Sequence, residues 1–257
     1  MEQIKEREFS CVREGLVIRG REYRMQGQVK GAVLISHGFC QNMSQFFCYA
    51  SLFAEWGYAA YVFDFCGGCA PPDCSSEGSV LDMTIQTECR DLCEVARYVA
   101  SLPDLTGKPL FLLGFSQGGL VSALVAGKLQ PAGLILLSPA LCIPDHARKG
   151  KLAGASYDIN HVPEVIKGEH MDIGKAYHDD AVPIRVFEEM KQYRGKVLIV
   201  HGKQDSVVDY HYAIRAYEAY GAGRCRLRLL SDADHGYEGT QQTVVYAFIQ
   251  EFLSGKC

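Results

Sequence analysis

Short apolar runs separated by amphipathic stretches run through the chain and predict alternating buried strands and helices. The runs typical of strands are 31–37, 58–65, 110–113, 132–138, 196–201 and 225–230. Apolar positions near helical spacing occur at 44–56, 84–102, 209–220 and 240–252. This alternation, at the lengths of βαβ units, predicts an α/β fold with a mainly parallel sheet covered by helices on both faces.

Two segments depart from this alternation. Residues 9–25 alternate weakly around turn glycines, which predicts an antiparallel pair of strands at the start of the fold. Residues 139–194 are rich in Gly, Pro, His and Asp and have no clear apolar strand. Because a structureless loop of that length is uncommon in a compact domain, we expect an inserted cap or lid of 139–194 on a core of 1–138 and 195–257. A decorative insertion is the alternative.

The segment 109–126, PLFLLGFSQGGLVSALVA, combines an apolar run, a tight turn and an amphipathic stretch. Its turn has the G-x-S-x-G pattern, with Ser116 between Gly114 and Gly118. In such a turn the serine Oγ is exposed over the C-terminal edge of the sheet, beside the free N–H groups of the next helix. The pattern predicts that Ser116 is a nucleophile, and an ordinary serine in a surface turn is the alternative.

Two further polar residues directly follow later strands, Asp205 after the run 196–201 and His235 after the run 225–230. A serine hydroxyl needs an imidazole to accept its proton and a carboxylate to orient that imidazole. Carboxyl ends of parallel strands meet at one edge, and serine, acid, histidine is the order expected on this topology. We therefore predict a triad of Ser116, Asp205 and His235.

Other residues compete for these roles. The alternative acids are Asp209, Asp232 and Asp234, and Asp209 is equally suited to capping the helix that follows it. His201 lies on a predicted strand, and we interpret it as structural. The backbone N–H groups of Gln117 and Phe39 are the expected oxyanion hole, since they follow the nucleophile and the first parallel strand. We interpret His37, beside Phe39, as a buried, hydrogen-bonded histidine.

Composition and charge narrow the class of protein. The chain has 257 residues, is 48 % hydrophobic and carries a formal net charge of −4. Without a sustained basic run, we do not expect it to bind nucleic acid. Its first ten residues are charged and no apolar stretch approaches the roughly 20 residues that span a bilayer, so we expect no membrane association and a cytoplasmic protein.

Eleven cysteines are an unusual number for such a chain. A chain this large with long apolar strands does not look like a secreted disulfide framework, so we expect most thiols to be reduced and to pack as small apolar groups. The segment Cys66-Gly67-Gly68-Cys69 admits two alternatives, a redox pair or a metal site that also uses Cys74. Both are disfavoured, because no helix can start promptly after Cys69 and no fourth ligand lies at a recognisable spacing.

The motifs together resemble the α/β-hydrolases across nearly the whole chain, and within them the cinnamoyl or feruloyl esterases of gut and rumen bacteria. The resemblance is carried by HGF at 37–39, FDF at 63–65, DMT at 82–84, GFSQGG at 114–119, LSPA at 137–140, VLIVHGKQD at 197–205 and ADHGY at 233–237. It implies hydrolysis of carboxylic esters through an acyl-enzyme by Ser116, His235 and Asp205, with no cofactor or metal. It also implies a cap that shapes an aromatic acyl pocket.

Substrate contacts and partners are less constrained. Asp145 and His146, early in the cap, are polar candidates to meet a phenolic hydroxyl, although we prefer to interpret both as solvated surface. The expected partner is a small-molecule ester, and a homodimer is an option that the sequence leaves open. Alternative functions are a short-chain acyl or acylglycerol esterase, a thioesterase, a small-peptide hydrolase, a ligand-binding module without turnover and, through Cys66 and Cys69, a thiol-redox protein.

Overall fold

One eight-stranded sheet forms the centre of the computed structural model, which describes residues 3–255. In chain order the strands of the described residues are β1 (Lys5–Arg13), β2 (Leu16–Arg24), β3 (Ala32–Ser36), β4 (Ala59–Phe63), β5 (Leu110–Phe115), β6 (Gly133–Leu137), β7 (Lys151–Leu152), β8 (Ala155–Ser156), β9 (Val165–Ile166), β10 (Ile173–Gly174), β11 (Lys196–Gly202) and β12 (Cys225–Leu230). The main sheet has the order β1-β2-β4-β3-β5-β6-β11-β12. Only β1 with β2 and β2 with β4 pair antiparallel in it, which confirms the predicted mainly parallel sheet.

Helices cover both faces of this sheet. They are α1 (Phe47–Glu55), α2 (Ile85–Ala100), α3 (Gln117–Leu129), α4 (Ile143–Ala147), α5 (Lys175–Ala181), α6 (Val186–Glu189), α7 (His211–Tyr220) and α8 (Thr240–Leu253), with short 3-10 helices at Met43–Phe46 and Met190–Gln192. The predicted helices 44–56, 84–102, 209–220 and 240–252 correspond to α1, α2, α7 and α8. Among residues 3–255, none of the helices combines the length and apolar character needed to span a membrane.

The two faces have separate apolar cores because successive strand residues point to opposite sides. In β3, Leu34 packs in a cluster with residues of α2 and α3, whereas Val33 and Ile35 pack in a cluster with residues of α1 and α8. All three side chains are almost fully buried. Burying one such side chain contributes about 1.5–3 kcal/mol, so both faces hold the strands in register.

Helix α2 begins where the sequence provides a reciprocal cap. The Thr84 hydroxyl accepts a hydrogen bond from the N–H of Thr87 at 3.1 Å, and the Thr87 hydroxyl accepts one from the N–H of Thr84 at 2.8 Å. These bonds satisfy amides that have no partner inside the helix. They fix the start of α2 next to α3, the helix that follows Ser116.

The segment 139–194 contains α4, two pairs of two-residue strands, α5 and α6. Its buried apolar side chains, among them Leu152, Ile166 and Ile173, belong to the same cluster as residues of α2 and α3. The insertion therefore forms a layer that is continuous with the core rather than a unit with its own core.

Candidate active site

Ser116 sits at the sharp turn between β5 and α3. Its backbone has φ +52°, a conformation that costs energy for a residue with a side chain. A Cβ on Gly118 would lie 2.3 Å from the carbonyl oxygen of His37, and one on Gly114 would lie 2.2 Å from that of Gly118. The two glycines thus let β3, β5 and α3 meet closely enough to hold the serine in this turn.

The three residues of the predicted triad meet at the carboxyl edge of the sheet. Nε2 of His235 lies 3.0 Å from Oγ of Ser116, and its Nδ1 lies 2.8 Å from Oδ2 of Asp205. The His235 side chain is 17 % exposed and that of Asp205 is fully buried. The imidazole is therefore within hydrogen-bond reach of both partners and partly exposed to solvent.

Asp205 is held by four close donors. Its Oδ1 accepts backbone hydrogen bonds from Val207 at 2.9 Å and Val208 at 2.8 Å, while Oδ2 faces His235. Burial by itself raises the pKa of Asp205, but hydrogen bonds from His201, His235 and Val208 outweigh it and bring the pKa below its usual range. The carboxylate is therefore ionised and acts only as an acceptor.

His201 is a contact that the sequence reasoning missed. Its Nε2 lies 3.0 Å from Oδ2 of Asp205 and 3.0 Å from the carbonyl oxygen of Val208. The sequence predicts a structural histidine on a strand, without this contact to the acid. The one available signal was its position at the carboxyl end of β11, four residues before the acid.

The alternative acids have other partners or point to solvent. The Asp234 carboxylate accepts hydrogen bonds from the N–H groups of Ser206 at 3.0 Å and His235 at 2.7 Å. Asp209 accepts one from the N–H of His211 at 2.9 Å, at the start of α7, and Asp232 is exposed. Among these aspartates, Asp205 is the one whose carboxylate contacts the His235 imidazole.

The predicted oxyanion donors flank the serine. Gln117 is the first residue of α3, and Phe39 follows Gly38 in the turn after β3. A Cβ on Gly38 would lie 3.0 Å from Cβ of Ser116, so this turn runs directly beside Ser116. Within residues 3–255, neither amide N–H donates to a protein acceptor, so both are free for an anion.

His37 is buried, as the sequence predicts. Its Nδ1 lies 2.8 Å from the carbonyl oxygen of Gly38, and its Nε2 accepts a hydrogen bond from the N–H of Phe65 at 3.1 Å. Burial lowers its pKa, so the imidazole is neutral. It braces the turn that presents Phe39 and has no proton-transfer geometry.

A comparison with known proteins identifies the family of this chain. A family model described as serine aminopeptidase, S33, matches residues 27–182, more than half of the chain. The chain belongs to this α/β-hydrolase family. The fold class and the resemblance inferred from the motifs are thereby confirmed.

Two solved structures are similar to this hydrolase over nearly its whole length. One, described as ferulic acid bound to Est1E from Butyrivibrio proteoclasticus, has a TM-score of 0.88 and 26 % identity, covering 96 % of this chain and 98 % of Est1E. The other, α/β hydrolase domain-containing protein 10 from mouse, has a TM-score of 0.74 and 14 % identity, covering 98 % and 100 % of the two chains. At that identity the mouse protein is evidence for the fold alone.

A curated relative matches over a shorter stretch. Caffeoylshikimate esterase of Arabidopsis thaliana is 29 % identical over 138 residues, which cover 49 % of this chain and 38 % of the relative. The hydrolase thus aligns with well under half of the relative's length.

A cavity of about 500 Å³ lies between the serine of this hydrolase and its insertion. Its apolar lining includes Phe39, Ala140, Ile143, Leu152, Ile173 and Val208, and its polar lining includes His146, Lys151, Glu169 and His170. Ser116 and Gln117 form the end at the sheet edge. A larger, more open cleft of about 770 Å³ along β12 includes no triad residue, so of these two cavities the 500 Å³ one is the cavity that reaches Ser116.

The two predicted substrate contacts separate in the structure. His146 lines the cavity, and burial together with Lys149 and Lys151 lowers its pKa, which leaves a neutral imidazole. Asp145 is outside the lining. Its carboxylate accepts hydrogen bonds from Arg148 at 2.8 Å and the Tyr212 hydroxyl at 3.0 Å. It ties α4 to α7 and does not face the cavity, so it is not the phenol contact that the sequence offered as a candidate.

The cysteines match the sequence prediction except at one pair. Eight described cysteines are free, whereas Cys69 forms a disulfide with Cys74; Cys257 lies outside the described residues. The Cys66–Cys69 redox pair considered above is not formed. Burial raises the pKa of Cys66 to about 12, so it carries little thiolate at neutral pH.

The same region gathers metal-ligand residue types without suiting a metal. Atoms of His37, Asp64 and Cys69 lie within 4.8 Å of one another. The Asp64 carboxylate already accepts backbone hydrogen bonds from Met43 at 2.7 Å and Ser75 at 2.8 Å, and the sulfur of Cys69 is in the disulfide. These groups are structural.

Proposed function

We propose that this hydrolase is a serine carboxylesterase that cleaves hydroxycinnamate esters through an acyl-enzyme. One observation carries the proposal: Ser116, His235 and Asp205 form a continuous chain of contacts at 3.0 and 2.8 Å beneath a cavity open to a small molecule. This is the geometry in which an imidazole activates a serine and a carboxylate fixes its tautomer.

Acylation begins at the serine. Nε2 of His235 takes the proton of Ser116 while Oγ attacks the ester carbonyl, and the Asp205 carboxylate stabilises the imidazolium that forms. The carbonyl oxygen becomes an anion between the N–H groups of Phe39 and Gln117. The tetrahedral intermediate collapses when His235 returns the proton to the leaving alcohol.

Deacylation repeats the sequence with water. His235 removes a proton from a water molecule that attacks the acyl-enzyme, and the same two N–H groups bind the second oxyanion. The acid is released when the proton passes to Oγ of Ser116. Every step uses side chains, backbone amides and water.

The lining of the cavity supports a hydroxycinnamoyl group as the acyl part of the substrate. The apolar part of this lining exceeds the polar part, which suits a flat aromatic acid, and the neutral His146 imidazole offers a partner for a phenolic hydroxyl. The likeness to Est1E, described with ferulic acid bound, and to a caffeoylshikimate esterase supports the same substrate class.

Initial rates on a matched panel test the proposal. We would compare methyl ferulate, caffeate and p-coumarate with p-nitrophenyl acetate, butyrate and octanoate, and use the Ser116→Ala protein as the blank. Higher kcat/KM for the hydroxycinnamates supports the proposal. Turnover of only the alkyl esters would leave the serine mechanism and overturn the substrate class, and no turnover at all would favour a binding module.

A second candidate, hydrolysis of small peptides, follows from the description of the family as a serine aminopeptidase. Glu169 in the cavity lining offers a carboxylate for a free α-amino group. Amino-acid p-nitroanilides added to the panel distinguish the two. Faster cleavage of these amides than of the hydroxycinnamates would favour the peptidase.

A further inference from the structure

Three buried polar side chains connect the insertion to the residue after the nucleophile. The Tyr177 hydroxyl, on α5, donates to Oε1 of Gln117 at 2.6 Å, and Nε2 of Gln117 donates to Oε2 of Glu88, on α2, at 2.8 Å. Both ends of one glutamine amide are therefore held, by elements that lie 29 and 60 positions away in the chain. The mechanism proposed above uses only the backbone of Gln117.

The burial of these groups makes the connection sensitive to loss of any partner. Glu88 and Gln117 are each 1 % exposed and Tyr177 is 2 % exposed. Burial, reinforced by Asp91, raises the pKa of Glu88 well above its usual range although the Gln117 amide lowers it, and burial raises the pKa of Tyr177. These shifts favour the protonated, uncharged forms of Glu88 and Tyr177, and an amide left without a partner here incurs its full desolvation cost.

We propose that Tyr177 and Glu88 are positioning residues that hold Gln117 so that its backbone N–H points at the oxyanion formed on Ser116. This inference rests on the proposed esterase mechanism and deepens it. It makes the insertion a supporting part of the catalytic machinery as well as a wall of the substrate cavity.

The geometry explains why a side-chain anchor would matter for a backbone donor. Gln117 is the first residue of α3, where the N–H has no helical partner to fix its direction. Oxyanion stabilisation depends on donors that are oriented before the charge forms, and a small misplacement is costly. Two hydrogen bonds at the end of the same side chain restrict the rotation of that peptide unit.

A second contact shows that α5 is fixed to the core on the same side. The Asp180 carboxylate accepts a hydrogen bond from the N–H of Gln86, in the first turn of α2, at 2.9 Å. Because Tyr177 and Asp180 lie one turn apart on α5, the helix is seated on α2 and α3 together. Helix α5, which carries Tyr177, is therefore held in place by its contacts with the core.

The test compares tyrosine hydroxyls of the insertion. Tyr177→Phe removes the donor to Gln117, whereas Tyr157→Phe is the matched control because it removes a hydroxyl bonded to Nδ1 of His178 at 2.8 Å. On p-nitrophenyl acetate, whose acyl group is too small to need the aromatic pocket, we expect kcat to fall about 10-fold in Tyr177→Phe with KM within about 2-fold. The control should stay within about 2-fold of wild type in both parameters.

Glu88 supplies a rescue experiment. Glu88→Gln keeps a carbonyl oxygen that can accept from Gln117 without a charge, so kcat should remain within about 3-fold of wild type. Glu88→Leu removes the acceptor and should lose about as much as Tyr177→Phe. Equal losses in the Gln and Leu variants would overturn the role of Glu88.

A second readout separates this inference from the proposed substrate class. A fluorophosphonate forms a phosphorus–oxygen bond with Oγ of Ser116, releases fluoride and passes the serine proton to His235, whatever ester the enzyme prefers. We expect Tyr177→Phe to slow phosphonylation about 10-fold relative to Tyr157→Phe.

The outcomes are distinguishable. A wild-type protein that is phosphonylated but cleaves no ester would overturn the proposed function, while the ratio of phosphonylation rates still decides the positioning role. Equal phosphonylation rates for Tyr177→Phe and Tyr157→Phe would show a merely structural hydrogen bond. A wild-type protein that does not react with the phosphonate would overturn both.

Discussion

The loops at the carboxyl edge of the sheet and the insertion above them are built differently. Ser116, Asp205 and His235 each follow a strand of the main sheet, and β5, β6, β11 and β12 are paired with one another in register. The insertion has strands of two residues and helices of four to seven. Its Lys151, Glu169 and His170 are exposed where they line the cavity.

The proposed mechanism gives these two regions different roles, catalysis and substrate recognition. In the proposed mechanism, the atoms that must be held within a fraction of an ångström lie at the ends of the paired strands, and substrate recognition falls to a segment that can vary without disturbing those strands. Changes at the strand ends should therefore lower the rate on every substrate. Changes in the insertion should alter the ratio between substrates, except where α5 supports Gln117.

The largest expected effect is that of Ser116→Ala. Removing the nucleophile should lower kcat by about 10⁴-fold or more on every ester of the panel, because only oxyanion and binding contributions remain. Steady-state rates and the thermal unfolding midpoint would be measured together. A rate comparable to wild type in a folded variant would contradict the serine mechanism.

Asp205→Asn should have a somewhat milder effect. The asparagine amide cannot reproduce a carboxylate that accepts from Nδ1 of His235, so we expect kcat to fall by about 10³-fold, again on all substrates. Asp234→Asn is the matched control, because that carboxylate accepts backbone bonds beside the same histidine, and it should stay within a few-fold of wild type. Similar losses in both variants would contradict Asp205 as the acid.

A change in the insertion should discriminate between substrates. His146→Leu should lower kcat/KM for methyl p-coumarate by about 10-fold, the cost of one hydrogen bond to a phenolic hydroxyl, and leave methyl cinnamate, which lacks the hydroxyl, nearly unchanged. Asp145→Asn serves as the control, since Asp145 faces Arg148 and Tyr212. Equal losses on the two esters in His146→Leu would contradict a role of this insertion residue in recognising the phenolic hydroxyl.

The smallest effect on rate, and a distinct one on stability, is expected for Glu88→Gln, which keeps an acceptor for the Gln117 amide. Its pKa is raised in the folded protein, so the folded state keeps a proton that the unfolded state has lost. Stability therefore falls as pH rises above about 4.3, by up to about 1.4 kcal/mol per pH unit, until the folded pKa is reached. Glu88→Gln should abolish this fall and gain more relative to wild type at pH 8 than at pH 5.

Urea unfolding at pH 5, 6.5 and 8 measures this difference. The stability contribution of Asp205 depends on pH in the opposite direction, because the pKa of Asp205 is lowered in the folded protein. This contribution is present above about pH 3.9 and is lost as the pH falls further. It does not change between pH 5 and 8. Other groups with shifted pKa values, such as Asp180 and His146, are present in both proteins, so the difference between the Glu88→Gln and wild-type curves isolates Glu88. Parallel stability curves for Glu88→Gln and wild type would contradict a neutral, buried Glu88.

Local pattern was enough to predict the strands, the turn at Ser116 and the order serine, aspartate, histidine. Apolar runs of strand length, glycines around a serine and polar residues at strand ends are features of a few neighbouring positions, and parallel strands bring those ends to one edge. The strands of the insertion could not be predicted in this way, because a strand of two residues is too short to show a periodic pattern in the sequence.

The α/β class, the sheet edge at which the site forms and the residue types that meet there could all be predicted from the sequence. Tertiary structure alone decided that His146 faces the cavity while Asp145 faces α7, that His201 touches Asp205, and that Glu88 and Tyr177 hold Gln117. The reason is that the direction of a side chain depends on the packing of helices far apart in the chain. No short-range pattern records that packing.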